Sequence, residues 1–160
     1  MKIKKIFEEK KLVFSLEVFP PRSETPIENI YETLDKLKDI NPDYMSVTYG
    51  AGGGVNKNRT CEISSLLKKK YNIEPLAHLT CINSTCDTLD AILDDLAENN
   101  IENVLALRGD KPADGKEIGE YHFAYQLVEH IKNKNDFGVA AACYPEGHLE
   151  TKDLDQDIEY

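Results

Sequence analysis

Leu76-Ala77-His78-Leu79-Thr80, then Leu89, Ile92, Leu93 and Leu96 at three-and-four spacing, then Val104-Leu105-Ala106-Leu107, decide the fold. The two short runs are apolar at successive positions rather than at alternate ones, the pattern of strands covered on both faces, and a helical stripe joins them. Such a stretch reads as a βαβ unit with parallel strands and a right-handed crossover. Working outward, the unit recurs. Val13-Phe14-Ser15-Leu16-Glu17-Val18-Phe19 is a strand stopped by Pro20-Pro21, and Thr25-Pro26-Ile27-Glu28 offers a capping box with proline at the first helical position. Ile27, Ile30, Tyr31, Leu34 and Leu37 form the buried stripe of that helix, which Asn41-Pro42 closes. Tyr44 to Tyr49 is the second strand, followed by the Gly50–Gly54 loop and a helix carrying Ile63, Leu66 and Leu67. Beyond the fourth strand come Arg108-Gly109-Asp110, a loop to about residue 120, and a helix using Ala124, Leu127, Val128 and Ile131. Gly138 to Tyr144 is the fifth strand, and Asp153 to Tyr160 resembles the opening of another helix. The fold class is α/β. Two architectures fit: a complete doubly wound sheet, or the first part of a (β/α)8 barrel, which as a whole needs about 250 residues. Length by itself favours the former.

The chain has 160 residues, 41% of them apolar and 30% charged, which is the composition of one ordinary globular domain spanning residues 1–160. Nineteen basic against 29 acidic residues give a net charge of −10. That balance repels phosphate backbones and anionic lipid, so nucleic-acid and membrane partners are not expected. No apolar run approaches the roughly 18 residues of a membrane span, and the basic start MKIKKIFEEKK meets acidic residues before a signal-peptide core develops, so a cytoplasmic location is expected. Cys61, Cys81, Cys86 and Cys143 form no CxxC pair and read as buried free thiols. His78, His122, His130 and His148 show no ligand spacing, so no metal is expected.

Polar groups able to bind or to move protons fall at or just beyond the ends of the strands. Strand one brings Glu17 and later Arg22, strand two Thr48 and Tyr49, strand three His78 and Thr80, strand four Arg108 and Asp110, and strand five Tyr144, Glu146 and His148. In either architecture these ends share one rim, where α/β sites are built. Glu17, inside an apolar strand, is either neutral with a raised pKa or facing a polar cavity; a proton donor and a structural ion pair are both open readings. His78 could be a satisfied core histidine, and Tyr49 and Tyr144 plain packing residues. The Gly50–Gly54 loop permits close approach of a ligand to backbone but matches neither a P-loop nor GxGxxG. Arg108 can hold phosphate or carboxylate bidentately, and Asp110 can accept paired N–H donors from a heterocycle.

Five collinear motifs carry a resemblance. Ser15-Leu16-Glu17-Val18-Phe19-Pro20-Pro21-Arg22, Val47-Thr48-Tyr49-Gly50-Ala51, His78-Leu79-Thr80-Cys81, Ala106-Leu107-Arg108-Gly109-Asp110 and Ala142-Cys143-Tyr144-Pro145-Glu146-Gly147-His148 resemble, in order and spacing, the methylenetetrahydrofolate reductase family from about residue 12 to the end. The resemblance implies a (β/α)8 barrel of which about the first five βα units are present, reversing the preference that length gives. It implies FAD at the C-terminal rim, and reduction of 5,10-methylenetetrahydrofolate to 5-methyltetrahydrofolate with NAD(P)H or another electron donor.

Carried across by motif, Glu17 resembles the family's general acid, which protonates the folate nitrogen so that the methylene bridge opens to an iminium ion. Asp110 resembles the aspartate that contacts the pterin near the flavin. Thr48 resembles the position that meets nicotinamide or flavin, and Tyr49, Ala51, His78, Arg108, Gly109, Tyr144, His148 and Asp157 match FAD-contacting positions. Phe123 and Ala124 match the family's helix N-terminus near FAD. Family members continue through further strands that supply more ligand contacts, so the resemblance also implies a homo-oligomer or pairing with the remaining half of the barrel. A catalytically inactive fragment and a self-contained five-stranded doubly wound binding domain stay open at this point.

Overall fold

The alternation of stripe and run resolves in a computed structural model, which describes residues 1–21, 24–49, 57–111, 119–134, 136–148, 150–151, 153 and 155. The elements are α1 (Ile3–Glu9), β1 (Ser15–Val18), α2 (Glu28–Leu37) continued by a 3-10 turn (Lys38–Ile40), β2 (Tyr44–Val47), α3 (Lys57–Lys70), β3 (Glu74–Thr80), α4 (Cys86–Glu98), β4 (Asn103–Leu107), α5 (Ala124–Lys134) and β5 (Gly138–Ala141). All strand pairings are parallel, and the order across the sheet is β1-β2-β3-β4-β5. That sequential order settles the architecture. A doubly wound sheet reverses direction at a switch point, whereas a barrel always adds the next strand on the same side. The chain therefore carries the first five βα units of a (β/α)8 barrel.

Period-two alternation sorts each strand into an outer and an inner row. Val18, Met45 and Val47 face outward and pack with Ile30 and Leu34 of α2 and Ile63 and Leu67 of α3. Ala77, Leu79, Val104 and Ala106 meet Leu89, Leu93 and Leu96 of α4 and Leu127 and Ile131 of α5. Burying each such aliphatic side chain stabilises the fold by about 1.5–3 kcal/mol, which is why the apolar stripes dictate helix placement. Asn72 and Asn100 take positive φ just past α3 and α4, and Ile73 N–H and Ile101 N–H donate back to the Leu67 and Leu96 carbonyls at 3.0 and 2.9 Å. These asparagines do the work glycine usually does at a helix C-terminus.

Three expectations are corrected. The capping box at Thr25 does not form: α2 begins at Glu28, its cap is Ile27, and no side chain satisfies the cap. Strand five ends at Ala141, so Cys143 and Tyr144 lie in the following turn, Cys143 is exposed and Cys86 only half buried. The basic start folds as α1, whose Ile3 and Ile6 pack on Leu76, with Tyr44, Leu105 and Ala140 beside them. The helix thereby covers the N-terminal mouth of the sheet. Asn103, 1% exposed, fastens it: Oδ1 accepts from Ile3 N–H at 2.8 Å, and Nδ2 donates to the Met1 carbonyl at 2.9 Å and to Glu74 at 3.0 Å. Arg22, Ala51 with the rest of the Gly50–Gly54 loop, and Asp157 lie outside the described residues. Among the described residues no helix is long and apolar enough to cross a membrane.

Candidate active site

With every strand parallel, the C-terminal ends of β1 to β5 open on one side of the sheet, opposite α1. The inner row gives a cleft of about 390 Å³ with Glu17, Ser46 and His78 on its polar wall and Leu76, Leu105 and Ala140 among its apolar ones. That is within the roughly 300–1,000 Å³ of small-molecule sites. Glu17 and Ser46 are register partners across β1 and β2, and Ser46 Oγ donates to Glu17 Oε2 at 3.0 Å. His78 Nε2 stands 3.4 Å from the same oxygen. Both Ser46 and His78 are 8% exposed, and His78 Nε2 is buried with no hydrogen-bond partner among the described residues. Burial pushes the imidazole below its ordinary value of 6.5, and the Glu17 carboxylate opposes that shift. The ring is therefore neutral near pH 7, with a nitrogen aimed at a carboxyl oxygen. Such a pair can keep or pass a proton.

Parity separates the two strand-two residues. Thr48 continues the inner row of Tyr44 and Ser46, and its backbone N–H donates to the Val18 carbonyl at 3.1 Å. Tyr49 continues the outer row and packs against the cluster of α4 and β3. Its hydroxyl is buried without a partner among the described residues, and burial pushes its pKa up to about 12.

The loop after β4 is held close to the end of β3. Ile82 N–H donates to the Arg108 carbonyl at 2.8 Å, and Gly109 takes φ +85°. A Cβ there would lie 3.0 Å from both Thr80 Cβ and Ile82 Cγ2, so only glycine fits without displacement. Asp110, next in the loop, is exposed. Arg108 is half-buried, and its Nη1 donates to Glu150 Oε2 at 2.8 Å, which holds the Glu150 carboxyl below its ordinary value. Past β5, Tyr144 and His148 pack edge to face with ring centroids 5.0 Å apart. At the start of α5, Gln126 Oε1 accepts from His122 N–H and Phe123 N–H at 2.8 and 3.0 Å, which fixes the helix N-terminus. Phe123, 52% exposed, stacks on Tyr125, and Ala124 is the first helical residue.

The structure thus joins Glu17 and His78 directly, joins Tyr144 with His148, and places Arg108, Gly109 and Asp110 in the loop after β4 on the same rim. Sequence reasoning missed Ser46 and Glu150. Ser46 had a usable signal, since it lies two residues before Thr48 on the inner row of an otherwise apolar strand. Glu150 had none. The absence of ligand spacing among the histidines likewise said nothing about space: Cys86, Asp90 and His130 offer ligand atoms within 4.8 Å of one another, on the outer helical layer.

Sequential parallel βα units with an acid and a neutral imidazole on the inner face of their C-terminal ends define the class of (β/α)8-barrel proteins that build their sites on that rim. The chain belongs to the methylenetetrahydrofolate reductase family, whose model it matches over residues 2–160. It is 38% identical over 160 residues to methylenetetrahydrofolate reductase (NADH) 1 of Arabidopsis thaliana, covering 96% of this chain and 27% of that protein. It is 38% identical over 144 residues to 5,10-methylenetetrahydrofolate reductase of Escherichia coli, covering 90% of this chain and 48% of that one. With methylenetetrahydrofolate reductase 1 of Schizosaccharomyces pombe the identity is 35% over 157 residues, covering 94% and 26%. The chain therefore spans about half the length of its bacterial relative and about a quarter of the plant and yeast ones.

Proposed function

We propose that this chain is the amino-terminal portion of a flavin-dependent reductase that converts 5,10-methylenetetrahydrofolate to 5-methyltetrahydrofolate, drawing electrons from a reduced nicotinamide or another donor. The observation that carries the reading is the Glu17–Ser46–His78 group at the inner C-terminal ends of three adjacent strands. The residues present suit FAD: an orphaned buried nitrogen on His78 faces the cleft, and a glycine-only bend at Gly109 lets a flat ligand approach backbone. Arg108, His148 and Tyr144 would hold its diphosphate, ribose and ring edges, with Thr48, Tyr49, Ala51, Gly109, Phe123, Ala124 and Asp157 contributing further contacts. When bound, FAD supplies the hydride chemistry.

The rest falls to this chain's side chains. Glu17 gives a proton to the folate nitrogen at the methylene bridge, which lets that bridge open. Ser46 Oγ fixes the carboxyl by donating to Oε2, His78 Nε2 flanks the same oxygen at 3.4 Å, and the carboxylate left behind takes its next proton from solvent. Asp110 supplies negative charge beside the cation that opening creates and orients the pterin through its N–H groups. The test is spectroscopic and kinetic. Protein purified with FAD should carry flavin absorbance, and the donor-reduced form should be reoxidised by methylenetetrahydrofolate. A preparation that retains no flavin at saturating FAD would overturn the reading.

A further inference from the structure

We propose that Cys86, Asp90 and His130 form a binding site for one zinc-class divalent cation between α4 and α5, separate from the strand-end cleft. Cys86 and Asp90 are four residues apart on α4, so they share one helix face, and His130 reaches them from α5. One ligand atom from each lies within 4.8 Å of the others, and all three residues are half-buried. Thiolate, imidazole and carboxylate together suit zinc or cobalt better than magnesium or calcium, which prefer oxygen alone. Metal–ligand distances of about 2.0–2.3 Å set ligand atoms roughly 3.3–3.8 Å apart, so His130 and Asp90, at 2.9 Å, open slightly while the Cys86 sulfur closes by up to roughly 1 Å, movements within reach of their side-chain torsions.

The surroundings fit a bound cation. Tyr121 OH lies 2.9 Å from His130 Nδ1, so His130 Nε2 is the nitrogen presented to Asp90, which it meets at 2.9 Å. A metal-bound histidine is ordinarily held this way, through its second nitrogen. Cys86 as thiolate and Asp90 as carboxylate would balance the two charges of the ion, and the thiol proton would leave to solvent on binding. One group competes: Lys134 Nζ stands 2.9 Å from Asp90 Oδ1. Lys134 also reaches Asp94 Oδ2 at 3.1 Å, so it keeps a partner when the cation takes Asp90.

The experiment is a titration of the chelator-stripped chain with Co²⁺, read by the thiolate-to-cobalt charge-transfer band, followed by displacement with Zn²⁺. One equivalent should develop the band and Zn²⁺ should abolish it. Cys86→Ser should lose the band, and His130→Gln should weaken binding by at least about ten-fold, while Tyr121→Phe weakens it by about ten-fold through the lost support. Lys134→Met should tighten it, an outcome that damage to the fold would not give. Circular dichroism identifies any variant that fails to fold, and Asp90→Asn then takes its place. No band in the unsubstituted protein would overturn the proposal. So would a band that survives Cys86→Ser and vanishes with Cys143→Ser, the exposed thiol.

Discussion

Glu17 Oε2 stands 3.4 Å from His78 Nε2, a buried nitrogen with no hydrogen-bond partner among the described residues. The two groups meet at the inner face of β1 and β3, with Ser46 Oγ donating to the same carboxyl oxygen at 3.0 Å. This relationship separates the two halves of the proposed reaction, because electron entry needs no proton from Glu17 whereas opening of the methylene bridge does.

The pH response of stability follows from His78. Burial lowers its folded pKa below the ordinary 6.5, so at intermediate pH the unfolded chain binds the proton that the folded chain refuses. The contribution is complete above that ordinary value and is lost as pH falls through the lower folded one. Urea unfolding at a series of pH values should show stability declining on the acid side, with a shallower decline in His78→Asn. In Glu17→Gln, imidazole NMR should find the His78 pKa lower still, since the carboxylate that opposes the shift is gone.

Asn103 ties α1 to the sheet through two hydrogen bonds in a buried setting, and a third, to Glu74 of β3, holds its amide in place. Asn103→Ala leaves Ile3 N–H and the Met1 carbonyl without these partners and should cost about 1–3 kcal/mol in denaturant unfolding. Hydrogen exchange should localise the loss to residues 1–10. An unchanged midpoint would mean that α1 is held by its apolar contacts alone.

Gly109→Ala places a methyl group at φ +85°, 3.0 Å from Thr80 and Ile82. The left-handed conformation alone costs about 1–2 kcal/mol for a residue with a Cβ. Flavin affinity should fall with stability, because the same bend positions Arg108 and Asp110. Stability lost with flavin affinity intact would separate this loop from the cofactor.

Arg108 is held by Glu150, which lies outside the five motifs. A diphosphate binding Arg108 must take that place, so Glu150→Gln should tighten FAD binding by about two- to five-fold, the range of an exposed ion pair. Arg108→Lys, which keeps the charge but not the planar fork, should weaken it. Fluorescence quenching on FAD titration reads both.

Periodicity made most of the fold legible. Each strand and each long helix announces itself by run or stripe, because burial on both strand faces and on one helix face is what stabilises a βα layer. Strand order did not announce itself: βα units of this length satisfy two topologies, and only the sequential pairing separates them. α1 was missed because two isoleucines in a seven-residue charged helix make too short a stripe to recognise. At the site, Glu17 and His78 were legible as ionisable groups out of place in apolar strands. Ser46 was not, since a strand serine carries no such anomaly until its register partner is known.

The most direct measurement is the pair of flavin half-reactions in Glu17→Gln, followed by stopped-flow absorbance. Reduction of bound flavin by the donor should proceed at close to the unsubstituted rate, while reoxidation by methylenetetrahydrofolate should slow by at least about 100-fold, the lower end of what a general acid contributes. Equal slowing of both steps would make Glu17 a structural residue, and an undiminished folate step would remove it from the chemistry altogether.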